Sequence, residues 1–420
     1  MTGHITAGII DGLMPQKTII FLGDGMADEP IPELDGRTPL QAASTPGMDR
    51  IAREGRSGTL FTLPEAFPTS SEVANMSVLG CDLASEYCGR GPLEAAGRGI
   101  PLGPEDIAFR LNLTTVEDGV LRDFSGGHLD QAVAESIIET LNSAFGSRTV
   151  RFEAGVSYRN LLILSGSEFS PQVTTEKPDD NQGQRLADHL PQALSSEAEP
   201  TALFLKNLMM ETQAVLEAHP ANRKLVAAGA LPANGLWPWN GGRAGALRSL
   251  SDKYGIASSA VISAVDVIMG LGQCLGMDVI RVPGATGYID TNYEGKGQAA
   301  IDALDSHDFV YLHVEAIDEV SHEQNLELKL RAIEDFDSRI IVPVLNAVDD
   351  TVNTVVLPDH PVPLALGKHT RTPVPVSARI AGHEPDPVQL YSEQTCPQGA
   401  LGAMSNGDLM ATLFGPPRDA

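Results

Sequence analysis

The stretch FVYLHVEAIDEVSH at 309–322 decides the fold. FVYLHV (309–314) is a short apolar run of the kind that a parallel strand buried on both faces requires. It stops at Glu315. Asp318 and His322 follow at i, i+4, which sets both on one face if the segment is helical. Two other runs end in the same manner. KTIIFL (17–22) halts at Gly23-Asp24-Gly25, and TVNTVVL (351–357) halts at Pro358-Asp359-His360, with His369 a little further on. Shorter strand patterns occupy 58–63, 258–262 and 279–282, and helical spacing occupies 39–55, 264–275, 297–304 and 326–348. The alternation predicts an α/β fold with a mainly parallel sheet flanked by helices, in which ligands sit beyond the carboxyl ends of the strands.

The middle of the chain differs. Across 105–250 the strands are less apolar and the connections are richer in Pro, Ser and charge, although helix-like patterns persist at 130–145 and 207–219. This is read as a smaller α/β (α+β) domain inserted into a core of 17–104 and 251–420. Residues 1–16 lack a basic start followed by an apolar run. They are read as a loose extension rather than a leader, with Met14 a candidate start.

Composition narrows the function classes. The 420 residues carry 29 Lys and Arg against 55 Asp and Glu, a net charge of −26. That balance argues against a nucleic-acid or anionic-membrane partner, because both need clustered cations. A small anion is still admissible, since local cations or metals override the global field. The most apolar stretch, 256–282, is interrupted by Asp266, Gln273 and Asp278, so no membrane span is expected. The four cysteines, Cys81, Cys88, Cys274 and Cys396, form no C-x-x-C pair and fit a reducing cytoplasm.

Each acidic strand end alone is an ordinary helix start or turn. Together they put Asp24, Asp318, Asp359, His322, His360 and His369 on one face of one sheet. A mixed carboxylate and imidazole set suits Mn, Zn, Co or Fe better than Ca, and six ligands exceed what one open site needs, so two divalent ions are expected. In PTSSEVANM (68–76), apolar periodicity begins at Val73, which puts Ser71 at or near a helix N-terminus. A plain N-cap is one reading of Ser71. Beside a metal pair, a nucleophile that attacks phosphorus is the other.

The motifs GDGMAD (23–28), SSEVANMSVLG (70–80), GRGPLEAA (89–96), VSYRNLL (156–162), GATGYIDTNYEGK (284–296), DEVSH (318–322), PDH (358–360) and KHTRTPVPV (368–376) span nearly the whole chain. With them the sequence resembles the 2,3-bisphosphoglycerate-independent phosphoglycerate mutases, particularly the archaeal-type branch, within the alkaline phosphatase superfamily. The resemblance implies an alkaline phosphatase-like core and a cytoplasmic enzyme that needs no 2,3-bisphosphoglycerate. It implies that Ser71 carries the phosphoryl group as phosphoserine. Asp24, Ser71, Asp359 and His360 would surround one metal, and Asp318, His322 and His369 the other, with Mn, Mg, Co or Zn as the ion. His128 resembles a family histidine near the transferring phosphoryl group. Arg159, Arg243, Lys296 and Arg90 resemble the cations that clamp phosphate and carboxylate, which makes the insertion a substrate-binding domain. The implied reaction interconverts 3-phosphoglycerate and 2-phosphoglycerate.

One departure keeps other chemistries open. Many members of the family carry Pro-Gly-Ser before the nucleophile, whereas this chain has Pro68-Thr69-Ser70-Ser71. The runs Pro64-Glu65-Ala66-Phe67-Pro68 and Ser71-Glu72-Val73-Ala74-Asn75 are also compatible with the homoserine kinase-like members of the same branch, which would use ATP. A related phosphohydrolase, and a non-catalytic metal-stabilised binding protein, are the remaining classes.

Overall fold

The computed structural model describes residues 17–245 and 247–418, so the extension expected at 1–16 lies outside the described residues. The chain divides into two compact units. One is built from the segments that end at Ser85 and resume at Leu247; the other is Glu86–Ala246.

The first unit is organised on an eight-stranded sheet. Its order is Asp278–Ile280, Ser259–Ile262, Phe309–Val314, Thr18–Gly23, Asn353–Leu357, Val374–Arg379, Arg56–Leu60 and Gly402–Met404. The first five strands are mutually parallel. Val374–Arg379 runs against both of its neighbours, and Gly402–Met404 pairs parallel to Arg56–Leu60. The sheet is thus mainly parallel, as the strand–helix alternation predicts. Thr18–Gly23 and Phe309–Val314 are buried at every position, because the sheet is covered on both faces. In register, Leu22 lies beside both His313 and Leu357, so three strands end level with one another and their following loops meet.

Two helical expectations are corrected in detail. The pattern over 39–55 is two helices, Pro39–Ala42 and Pro46–Glu54, because Pro46 cannot continue the first and starts the second. The pattern over 326–348 is Leu326–Phe336, a π segment Asp337–Ile341, then Val342–Ala347. Pro343 lacks the amide hydrogen that an uninterrupted α-ladder requires, and the widened turn precedes it.

The second unit is an antiparallel sheet with helices. Its long strand, Asp106–Glu117, pairs with Val120–Asp123, Arg159–Ser165 and Gly235–Arg243, and Val150–Val156 extends it beyond Arg159–Ser165. Helices Gln131–Phe145 and Glu199–Glu217 bury Ile137, Leu141, Leu205 and Leu208 against Phe109, Leu111 and Leu162. The unit starts at Glu86 rather than at 105. Helix Arg90–Gly97 belongs to it, because Ala95 shares a small core with Ala108, Leu161 and Ile163. A Cβ on Gly91 would lie 2.0 Å from the Ala108 carbonyl oxygen, so only glycine permits this approach. Among the described residues no helix is long and apolar enough to cross a membrane.

Candidate metal centre

The level strand ends of the first unit bring the acidic and imidazole groups together. The amide of Asp24 donates to the Val314 carbonyl at 2.9 Å, which ties the first loop to its neighbouring strand. Gly25 has φ +64°, and a Cβ there would stand 2.8 Å from Asp318 Cα, so glycine is required where this loop passes helix Ala316–His322. Its amide donates to Asp359 Oδ1 at 3.2 Å.

One group of ligand atoms consists of Asp24, Asp359 and His360, all fully buried. His360 Nε2 lies 3.3 Å from Asp24 Oδ1, 3.4 Å from Asp359 Oδ2 and 3.2 Å from Ser71 Oγ. Ser71 opens helix Ser71–Val78. The N-cap is Ser70, which makes no side-chain cap hydrogen bond, and the Ser71 hydroxyl is directed to His360. The second group centres on Asp318. His322 Nε2 is 3.3 Å from Asp318 Oδ2, and His369 Nε2 is 3.4 Å from Asp318 Oδ1. The two Nε2 atoms face each other at 3.0 Å, and the His369 ring stacks on that of His360 at 3.8 Å. All seven residues that the sequence reading assigned to metals therefore converge in this unit.

The electrostatics show how the crowded, buried acids influence one another. Burial, then the neighbouring Asp359, Glu315 and Asp318, pushes the Asp24 carboxyl well above the usual range. Burial also drives Asp359 well above it. Against the cost of burial, His322 and His369 hold Asp318 well below it. Asp24 Oδ1 and Asp318 Oδ1 are buried and accept no hydrogen bond from the described residues. His322 Nδ1 must donate to the Gly367 carbonyl, 2.8 Å away, which leaves Nε2 as the lone-pair nitrogen of the neutral ring. Buried acid oxygens without donors, aimed where imidazole lone pairs also point, fit divalent cations held by oxygen and nitrogen.

Several residues at this centre were not assigned from the sequence. Asn75 Nδ2 donates to Asp359 Oδ2 at 2.8 Å and to the Ser71 carbonyl at 2.9 Å. His313 Nε2 lies 2.9 Å from Asp24 Oδ2, and Asp24, His313 and Glu315 form a third group of adjacent ligand atoms. Asn75 lies inside a quoted motif and Glu315 at a strand end, but nothing local signals a buried strand histidine. Lys296 is fully buried in this unit, where its Nζ donates to the His313 carbonyl at 3.2 Å. Burial, opposed by Glu315, lowers its pKa to about 8.

The remaining candidates lie in the second unit. Arg90 Nε donates to Glu94 at 2.7 Å, Arg110 pairs with the same carboxylate oxygen, and both guanidiniums lie over Trp239. Burial opposes ionisation of Glu94, but Arg110, Arg90 and Arg159 together lower its pKa. Arg159 Nε donates to the Tyr158 hydroxyl at 3.1 Å. His128, at φ +56°, packs edge-on against Tyr158, with Nδ1 3.0 Å from Ser125 Oγ. Arg90, Arg159 and His128 thus belong to one neighbourhood of arginines and aromatics, to which Arg110 is an addition. Arg243 is engaged differently: its Nη2 donates to the Phe169 carbonyl at 2.8 Å and faces Glu105 at 3.6 Å.

A family model described as 2,3-bisphosphoglycerate-independent phosphoglycerate mutase matches residues 52–222. The chain is 47 % identical over 401 residues to the enzyme so named from Methanosarcina acetivorans, covering 94 % of this chain and 99 % of that one. It is 43 % identical to a second from Methanothermobacter thermautotrophicus, covering 96 % and 98 %. Among solved structures, a protein from Pyrococcus horikoshii superposes with a TM-score of 0.80 at 27 % identity, covering 97 % of this chain and 100 % of that one. The cofactor-independent phosphoglycerate mutase from Thermoplasma acidophilum superposes at 0.64 with 29 % identity, covering 95 % and 98 %. The chain belongs to the family of 2,3-bisphosphoglycerate-independent phosphoglycerate mutases.

Proposed function

We propose that this protein interconverts 3-phosphoglycerate and 2-phosphoglycerate in the cytoplasm by passing the phosphoryl group through Ser71, without 2,3-bisphosphoglycerate. The observation that carries the proposal is the Ser71 hydroxyl at a helix start, 3.2 Å from His360 Nε2, beside buried carboxylates and imidazoles. Asp24, Asp359 and His360 with Ser71, and Asp318 with His322 and His369, would hold two divalent cations, Mn, Mg, Co or Zn. When bound, these supply Lewis-acid charge at the phosphoryl group and acidify the attacking hydroxyl.

Ser71 Oγ forms a bond to phosphorus as the bond from phosphorus to the C3 oxygen of the substrate breaks. The proton lost from Ser71 is balanced by the one the departing glycerate oxygen takes up, with His128 assigned to that side of the transfer. The helix N-terminus at Ser71 favours the anionic phosphoserine. Arg90 and Arg159, with Arg243 and Lys296, are assigned to the carboxylate and phosphate of the substrate. The reoriented glycerate then takes the phosphoryl group back on its C2 oxygen.

The test is mass spectrometry of the Mn-loaded protein quenched during turnover of 3-phosphoglycerate. Phosphate on Ser71, absent in Ser71→Ala, is the expected result. Release of inorganic phosphate as fast as 2-phosphoglycerate forms would point to a hydrolase. Phosphorylation of homoserine by ATP, with no 2-phosphoglycerate formed, would point to a kinase.

A further inference from the structure

We propose that His313 is a positioning residue for the metal centre, holding the carboxylate of Asp24 so that its other oxygen is presented to the cation shared with Asp359 and His360. The inference rests on the metal-dependent reading above and concerns a residue that takes no direct part in that reading.

His313 is fully buried in strand Phe309–Val314, in register with Leu22, so its ring lies at the level where the first strand gives way to Asp24. Both ring nitrogens are engaged. Nε2 is 2.9 Å from Asp24 Oδ2, and Nδ1 is 3.1 Å from Ser263 Oγ, in the residue that follows strand Ser259–Ile262. An Asp24 that ligates a cation is ionised and only accepts, so in that state Nε2 carries the hydrogen and Nδ1 of the neutral ring accepts from the Ser263 hydroxyl. Ser263 Oγ in turn accepts from the Val265 amide at 3.1 Å, which anchors the series on the backbone. The hydrogen bonds thus run in one direction, from the Val265 amide through Ser263 and His313 to Asp24 Oδ2. Asp24 Oδ1 is left facing His360 at 3.3 Å, with no hydrogen bond of its own from the described residues. Carboxylate ligands are generally held in this way by hydrogen bonds from residues behind them.

Direct ligation is the rival reading, since Asp24, His313 and Glu315 also lie within ligand range of one another. Two observations favour positioning. The His313–Asp24 separation is that of a hydrogen bond, and Glu315 lies 3.6 Å away at a poorer distance. The buried ammonium of Lys296, which interacts with Glu315, already supplies positive charge on that side.

The experiment is calorimetric titration of Mn into the chelator-treated, dialysed full-length protein, with metal content at saturation measured by elemental analysis. His313→Leu is expected to weaken Mn binding by about 10–100-fold with the saturating stoichiometry unchanged. His313→Gln, whose amide can still donate to Asp24, is expected to recover most of that loss. Ser263→Ala, which removes one hydroxyl, weakens binding in the same direction and covers the case in which His313→Leu does not fold. Wild-type affinity in both His313→Leu and Ser263→Ala would overturn the proposal. So would the loss of one ion at saturation in His313→Leu, which would make His313 a ligand. The titration uses no substrate, so a failure of the mutase reading is scored separately, by wild-type protein that forms no 2-phosphoglycerate.

Discussion

Both amide hydrogens of Asn75 and its side-chain oxygen are engaged. The hydrogens go to Asp359 Oδ2 and the Ser71 carbonyl, and the oxygen accepts from the Tyr311 hydroxyl. Asn75→Ala would take a donor from a buried carboxylate oxygen and the acceptor from a buried hydroxyl, at a cost of about 1–3 kcal/mol for each lost hydrogen bond. The expected outcome is a lower melting temperature and a loss of about 10–100-fold in kcat for 2-phosphoglycerate formation, with the fold retained by circular dichroism. An unchanged kcat would show that Asp359 needs no such support. At this scale the sequence is legible where a residue announces itself at a strand end. Asp24, Asp318, Asp359 and His360 do so, because polar groups that interrupt apolar runs are visible without any structure. His313 does not, because a histidine inside FVYLHV is indistinguishable from a core residue until Asp24, distant in sequence, is placed beside it.

At the scale of elements, helix Pro46–Glu54 shows how one side chain from another segment completes a helix. Asp337 accepts from the Gly47 amide at 3.0 Å and the Met48 amide at 2.7 Å, two of the donors that a helix start leaves without partners. Burial still raises its pKa to about 6, against 3.8 for an unperturbed carboxyl. A raised pKa in the fold means that the native state binds the proton more tightly than the unfolded chain does. Its contribution is therefore present below about pH 4 and is lost as pH rises through about 6. Urea unfolding of wild type and Asp337→Asn should show a wild-type advantage at pH 4.5 that shrinks by pH 6.5. An advantage that grows over this interval would contradict the assignment. The strands nearest the candidate metal centre were readable as apolar runs. Val374–Arg379 was not, because Pro373 and Pro375 argue against a strand, yet Pro375 pairs with Thr59 in the sheet. The break at Pro46 and the π segment before Pro343 were hidden by a continuous apolar spacing, which records the buried face and not the hydrogen-bond ladder.

At the scale of the molecule, the −26 charge has a local consequence. Asp24, Asp359, Asp318 and Glu315 crowd one region, and burial raises the first two well above the usual carboxylate range. Without metal, these two stabilise the fold while protonated and cease to do so as pH rises through their native values. Asp318 has the opposite sign, but its contribution is lost only as pH falls below the ordinary carboxylate range. The melting temperature of chelator-treated protein should therefore fall between pH 5 and 8, and saturating Mn should raise it most at the upper end. A chelated protein as stable as the Mn-loaded one at pH 8 would count against a metal centre. The class of the fold was legible from alternation. The start of the insertion was not, because helix Arg90–Gly97 reads like the core helices before it until Gly91 is seen against Ala108.

The most direct measurement is phosphorus NMR of 3-phosphoglycerate with purified, Mn-loaded protein and no 2,3-bisphosphoglycerate. A 2-phosphoglycerate resonance should grow to equilibrium with total organic phosphate conserved, and it should be absent with Ser71→Ala. A static spectrum, or conversion to inorganic phosphate alone, would contradict phosphoryl transfer through Ser71 between the two hydroxyls of glycerate.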